Sequence, residues 1–155
     1  MQKFSTFAAV AITMVAAGSC SDNDIGPQVT NFTAALSGAN EVPADSSKAT
    51  ATASFSVVPG GLLYRVVITT AIDSATAAHI HTGAAGVNGG VVVPLFGGPT
   101  TGLAFTGTLG EGVGGVPIGM TLDSLLVLMR SGNAYVNVHT RTHPGGEIRA
   151  QVVAQ

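Results

Sequence analysis

Four histidines are the residues of this 155-residue chain best suited to do chemistry, and they fall into two clusters. His79 and His81 lie in the segment AHIHTG, while His139 and His143 lie in VHTRTHPGGE. Neutral imidazole is a favoured ligand for zinc, copper, nickel and iron. Because the two clusters together could fill three or four coordination positions, the pattern indicates a metal site.

Both clusters lie in segments whose aliphatic residues alternate, as they do in β-strands. Residues two apart in a strand share a face and lie roughly 6–7 Å apart. His79 and His81 therefore point together, away from Ile80, and Asn137 and His139 share a face opposite the neighbouring valines. Since the aliphatic side chains take the other face, we expect both histidine faces to lie outside the packed core.

The metal site predicted from these clusters uses nitrogen donors, to which a carboxylate oxygen can be added. The predicted ligands are His79, His81, His139 and His143, and the candidate additional ligands are Glu147 and Glu41. Copper or zinc would suit imidazole best. An alternative interpretation needs no metal: the first two histidines are then exposed strand residues, and the later two bond loop carbonyls.

Sequence motifs of the common enzyme classes are absent. The chain has no G-x-S-x-G, no H-E-x-x-H, no P-loop and only one cysteine, which also excludes an intrachain disulfide. The glycine-rich stretches 83–90 and 110–119 are not followed by lysine, and we interpret them as hairpin loops. We therefore expect a binding module without catalytic residues, and keep a copper redox enzyme as an alternative.

The elements that must position the histidines are predicted to be short strands. The candidate strands are 30–36, 49–58, 62–70, 77–82, 91–96, 104–109, 134–140 and 147–154. One helix is predicted over Thr121–Ser131, because Thr121 can cap it, apolar residues recur at helical spacing and Gly132 can end it. Short strands separated by turns predict an all-β antiparallel sandwich or barrel with one short helix.

The first 19 residues are predicted to be a signal peptide. Lys3 supplies a positive charge, residues 4–17 carry none, and small residues follow. An uncharged stretch of about fourteen residues is too short for a transmembrane helix, which needs about 20. An ordinary secretory signal peptide would be cleaved near Ser19 or Ser21, and Cys20 would then have no special role.

The position of Cys20, at the end of the small residues, resembles a bacterial lipoprotein signal in which the cysteine carries the lipid. Residues 20–29 are then an anchor tether and residues 30–155 the folded domain. The resemblance implies a cell-envelope location: an outer-membrane lipoprotein facing the periplasm or the surface, or a secreted protein.

Charge excludes one class of partner. Only 9% of the residues are charged and the net charge is −2, whereas a nucleic-acid-binding protein needs a basic stripe to meet phosphates. We therefore expect no nucleic-acid partner. The expected partner is the membrane, through the lipid anchor, and an extracellular protein is a further candidate.

Three segments, in order, resemble the CHRD domain, first named from chordin. They are LSGANEVPA (36–44), ATAAHIHTGAAGVNGGVVVPL (75–95) and YVNVHTRTHPGGEIRAQV (135–152). The family's characteristic residues fall on Glu41, Pro43, His79, His81, Asn137, His139, His143, Pro144, Gly145, Gly146 and Glu147. The resemblance implies an immunoglobulin-like β-sandwich that is secreted or lipid-anchored in bacteria, and it implies no established activity. Ala44 stands where the family often has a second proline.

The H-x-H strand, the distant Val-His pair and the sandwich size are also similar to copper/zinc superoxide dismutase. The disulfide cysteines and the zinc loop of that family are absent here. The similarity therefore supports a copper-type imidazole site on a dismutase-like sandwich, and it does not support dismutase activity.

These observations lead to two main hypotheses for function. The first is a cell-envelope module that binds copper or zinc, either to sequester the metal or to clamp two strands in place of a disulfide. The second is a non-metal adhesion or protein-interaction module that uses strand edges and loops.

Overall fold

The structure, a computed structural model, describes residues 30–98, 100–114 and 117–155. The described strands are β1 (Asn31–Ser37), β2 (Thr50–Val58), β3 (Gly61–Ile72), β4 (Ala75–Thr82), β5 (Val91–Gly97), β6 (Phe105–Gly114), β7 (Ala134–Thr140), β8 (Ile148–Gln151) and β9 (Val153–Ala154). Helix α1 (Leu122–Arg130) lies between β6 and β7, and a short 3-10 turn, Gly38–Asn40, follows β1. The predicted signal peptide, Cys20 and tether lie outside the described residues.

The strands form one antiparallel sheet in the order β5-β4-β7-β8-β1-β2-β3-β6, with β9 paired to β1. Its two ends approach each other. The Tyr64 hydroxyl on β3 donates to the Leu95 carbonyl on β5 over 2.6 Å, and the Ile118 amide after β6 donates to the Val92 carbonyl over 2.7 Å. The sheet is therefore a nearly closed barrel whose halves face each other across one core, and the predicted all-β antiparallel fold with one short helix is confirmed.

Strand alternation decides which side chains fill the core. Along β2, Ala51, Ala53 and Phe55 are buried, while Thr52 and Ser54 between them are exposed. On the strands that carry the histidines, the inward side chains next to the histidines are aliphatic: Ala78, Ile80, Val136 and Val138. The histidines therefore lie on the outer face of the sheet, as predicted from the period-two pattern.

Helix α1 is confirmed close to its predicted bounds. The Thr121 Oγ1 accepts a hydrogen bond from the Ser124 amide over 3.2 Å, which is the expected N-cap. Leu125, Leu126 and Met129 pack from one helix face into the barrel core. Within the described ranges, no helix is both long enough and apolar enough to span a membrane.

The prediction of a loop over residues 110–119 was wrong for residues 110–114, which belong to β6. Strand β6 continues to Gly114, because its backbone pairs with the long strand β3 through positions such as Val113 opposite Leu63. Glycine is normally unfavourable in a strand, but it permits close backbone approach. At Gly110 an added Cβ would lie 2.8 Å from the Leu95 carbonyl oxygen, so glycine is what allows β5 to approach β6 here.

The final predicted strand, 147–154, is divided in two. Strand β8 pairs with β7 along its length and with β1 at Ser37 opposite Arg149, whereas β9 pairs with β1 alone. Val152 between them is fully buried, and its amide donates to the Ala134 carbonyl. The chain therefore passes from one neighbour in the barrel to another within a few residues.

Candidate metal centre

Three imidazoles converge on the outer face of β4 and β7. His79, His81 and His139 each offer a ring nitrogen, and these nitrogens lie within 4.8 Å of one another. The ring centroids are 5.0 Å apart for His79 and His139, 5.7 Å for His81 and His139, and 5.6 Å for His79 and His81. Two nitrogens bound to one zinc at about 2.0–2.1 Å can be up to about 4.2 Å apart. Small ring movements would therefore let all three nitrogens bind one ion.

The register of β4 against β7 explains this convergence. His79 lies opposite Asn137, His81 opposite Tyr135, and His139 opposite Ala77. The backbones of His81 and His139 therefore flank the central pair of His79 and Asn137 from opposite ends. Because their rings nevertheless come close together, both side chains lean inwards over that central pair.

Backbone carbonyls determine which nitrogen of two imidazoles carries the proton. The His81 Nδ1 lies 3.1 Å from the Gly89 carbonyl oxygen, and the His139 Nδ1 lies 3.0 Å from that of Pro144. A carbonyl oxygen can only accept, so each Nδ1 donates and each Nε2 keeps a free lone pair. Both Nε2 atoms are buried without a partner, as is the Nδ1 of His79. In metal-binding histidines, a hydrogen bond from the ring nitrogen that does not bind the metal orients the ring and fixes its tautomer.

Burial also favours the neutral imidazoles that a metal requires. Desolvation, together with the nearby His139 and His81, lowers the pKa of His79 from 6.5 to about 4. Desolvation likewise lowers the pKa of His81 and of His139, although the carbonyl hydrogen bonds act in the opposite direction. All three rings are therefore neutral at pH 7, and their lone pairs are free to bind a metal.

The fourth predicted histidine lies outside this group of three. The Nδ1 of His143 lies 2.6 Å from Asp45 Oδ2, within hydrogen-bond distance. The turn after β7 carries His143 away from the strand, since the Thr140 amide bonds the His143 carbonyl and the chain reverses there. The pair of His143 and Asp45 joins this turn to the segment between β1 and β2.

The two predicted carboxylates also have other partners. Glu147 accepts hydrogen bonds from the hydroxyls of Ser47 and Thr140, each over 2.7 Å, and is not part of the histidine group. Glu41 is 8% exposed and is hydrogen-bonded to Asn137, the residue that pairs with His79 in the sheet. Desolvation raises the pKa of Glu41 from 4.5 to about 7, against the opposing effect of Arg149.

The sequence did not reveal the stacked side chains beside the histidines. The rings of His81 and Tyr135 are stacked with centroids 4.9 Å apart, and the Arg149 guanidinium lies 3.9 Å from the centre of the Tyr135 ring. Arg149 is only 1% exposed and donates to Asn88 Oδ1 and the Val87 carbonyl. The alternation of β8 places Arg149 on the same face as Asn137, but no sequence signal indicates that loops cover that face.

Protonation of the imidazoles is expected to destabilise the metal-free fold. The His79 pKa is 6.5 in the unfolded chain and about 4 in the folded one, so between these values the unfolded chain binds more protons. The contribution of His79 to the free energy of unfolding is thus complete above pH 6.5 and decreases as the pH falls towards 4. Denaturant unfolding across this range should show a smaller acid loss in His79→Gln than in the unaltered chain.

Comparing the unaltered chain with His79→Gln cancels the effect of a second titrating group, Glu41. The raised pKa of Glu41 gives the opposite slope between pH 4.5 and about 7, and it is present in both proteins. Parallel pH profiles for the two proteins would contradict the assignment of a buried, neutral His79.

Gly146 is expected to tolerate no side chain. Its φ of +132° is unfavourable for other residues, and an added Cβ would lie 2.6 Å from the Oδ1 of the buried Asn137. We expect Gly146→Ala to lower the free energy of unfolding by about 1–3 kcal/mol. The matched control is Gly145→Ala, which meets open space and should change stability by less than about 0.5 kcal/mol in denaturant titrations. Equal effects of the two substitutions would show that Asn137 is not tightly enclosed.

Comparison with known proteins gives one assignment. The family model of the CHRD domain matches residues 32–152, which include every strand described above except part of β1 and all of β9. Comparison with curated proteins and with solved structures found no match. The match covers most of the chain and contains all three converging histidines. The chain therefore belongs to the CHRD domain family.

Proposed function

We propose that this CHRD domain binds one copper or zinc ion through His79, His81 and His139. The observation that carries the proposal is the group of three buried ring nitrogens, none of which has a hydrogen-bond partner. A buried polar group left without a partner costs about 1–3 kcal/mol. A single ion would satisfy all three nitrogens at once.

The donor set favours borderline and soft metals. Three neutral imidazoles suit zinc and copper, whereas calcium and magnesium prefer oxygen ligands. No carboxylate belongs to the group, since Glu147 is bound to two hydroxyls and Glu41 to Asn137. Three protein ligands also leave one position of a tetrahedral site open.

The effect we propose for the ion is a clamp between strands and loops. His79 and His81 belong to β4 and His139 to β7, and the two outer carbonyls come from the loop after β4 and the turn after β7. An ion bound to all three rings would join these parts of the fold. Binding to the folded state alone adds stability that rises with the logarithm of the metal concentration.

Removal of a proposed ligand should abolish metal binding. We expect His79→Ala and His139→Ala to lose zinc binding in calorimetric titration of the chelator-treated chain, while His143→Ala retains it, because His143 bonds Asp45 instead. In the unaltered chain, zinc at 100 times its dissociation constant should stabilise the fold by about 2.7 kcal/mol. Binding that survives loss of either proposed ligand, or that is lost in His143→Ala, would overturn this ligand set.

We also propose that the domain is lipid-anchored in the cell envelope through Cys20. The support comes from the sequence alone: a positive start, a short uncharged stretch, small residues and then the only cysteine. An anchored domain of this kind would present its metal site in an envelope compartment, where it would sequester or buffer the metal.

Substitution of Cys20 should release the protein from the membrane. In a bacterial host, the unaltered chain is expected in the membrane fraction with an acylated N-terminal peptide in mass spectrometry. Cys20→Ser is expected in the soluble envelope or secreted fraction, and the neighbouring Ser21→Ala serves as the control. The same distribution for all three proteins, without acylation, would exclude a lipid anchor.

A further inference from the structure

We propose that Asn137 and Glu41 complete the metal site beside the three imidazoles and hold its fourth ligand, a water molecule, by accepting hydrogen bonds from it. This inference rests on the proposed function, because it concerns the position that three histidines leave open. It assigns a positioning role to two residues that need not touch the metal themselves.

The first support is the distribution of unpartnered polar atoms. Among the described residues, five buried side-chain atoms lack a hydrogen-bond partner: His79 Nδ1, His81 Nε2, His139 Nε2, Asn137 Oδ1 and Glu41 Oε1. All five can accept, since the amide oxygen of Asn137 and a carboxylate oxygen of Glu41 are both hydrogen-bond acceptors. Three free nitrogens match one ion, and two free oxygens match the two O–H groups of one water.

The second support is the place of Asn137 in the sheet. It lies opposite His79 on β4 and two residues before His139 on β7, so it occupies the central row over which the rings converge. Asn137 is 3% exposed, and Gly146 packs directly against its amide. Its side chain is therefore enclosed in the row that lies between His81 and His139.

The third support is the way in which Glu41 is held over the same row. Glu41 is hydrogen-bonded to Asn137, and the Glu41 carboxyl and the His81 ring both lie within electrostatic reach of Arg149. The segment around Glu41 is fixed on both sides, since Asn40 Nδ2 donates to the Arg149 carbonyl over 3.1 Å and Asn88 Nδ2 donates to the Val42 carbonyl over 2.8 Å. Glu41 is thus placed by the fold beside the site.

Glu41 also lines a cavity of about 470 Å³ between its own segment and the loop at Ala85 and Gly86. Arg149 borders the same cavity, and none of the three histidines does. Asn137 and Glu41 would favour a ligand that donates hydrogen bonds and disfavour an anion that cannot.

The test uses the full domain loaded with cobalt(II), whose visible absorption reports the ligands of a zinc-type site. Azide is the probe, because it replaces water at a metal but donates no hydrogen bond. We expect Glu41→Gln to keep the cobalt spectrum of the unaltered protein and to bind azide at least about tenfold more tightly, since a charged acceptor is removed. Asn137→Asp should bind azide more weakly, because it adds negative charge in the same place.

The matched control is Glu147→Gln, which alters a buried carboxyl outside the histidine group and should leave azide affinity unchanged. Azide affinities equal in all four proteins would overturn the inference. A cobalt spectrum in Glu41→Gln that shows a lost ligand would also overturn it, because Glu41 would then bind the metal directly. Failure of the unaltered protein to bind cobalt or zinc is a separate result, which contradicts the metal site itself.

Discussion

The antiparallel register between β4 and β7 is the constraint on which the rest of the structure depends. It places His79 opposite Asn137 and sets His81 and His139 on either side of that pair. A shift of one residue would move the imidazoles into the aliphatic core and bring Ile80 and Val138 to the outside. Burial of those aliphatic residues on the inner face therefore fixes where the outer imidazoles lie.

The outer face of these strands is unusual because it is polar and still largely buried. Asn137, Tyr135 and Arg149 are at most 3% exposed, although they point away from the barrel core. Backbone groups of the covering loops satisfy many of their polar atoms, as the Val87 carbonyl does for Arg149. This second, polar layer provides the low-dielectric surroundings that keep the imidazoles neutral.

Most of the fold and part of the site could be predicted from the sequence. Period-two alternation correctly placed His79, His81 and His139 on a common outer face, because alternation is a local property of strands. It could not separate His143 from them, since His143 follows the end of β7 and its direction depends on the turn. The approach of Glu41 to Asn137 also had no local signal, because the two lie far apart in sequence and meet only when β1 and β7 both pair with β8.

The backbone around Gly89 has a consequence for how an ion would enter. An added Cβ there would overlap the Thr82 carbonyl, and the Gly89 amide donates to the Tyr135 hydroxyl while its carbonyl faces His81. These contacts hold the loop in place beside His81, and a loop held in this way loses little conformational entropy when a ligand binds. An ion would meet an assembled receptor, and its affinity would be governed by the loss of its own hydration shell.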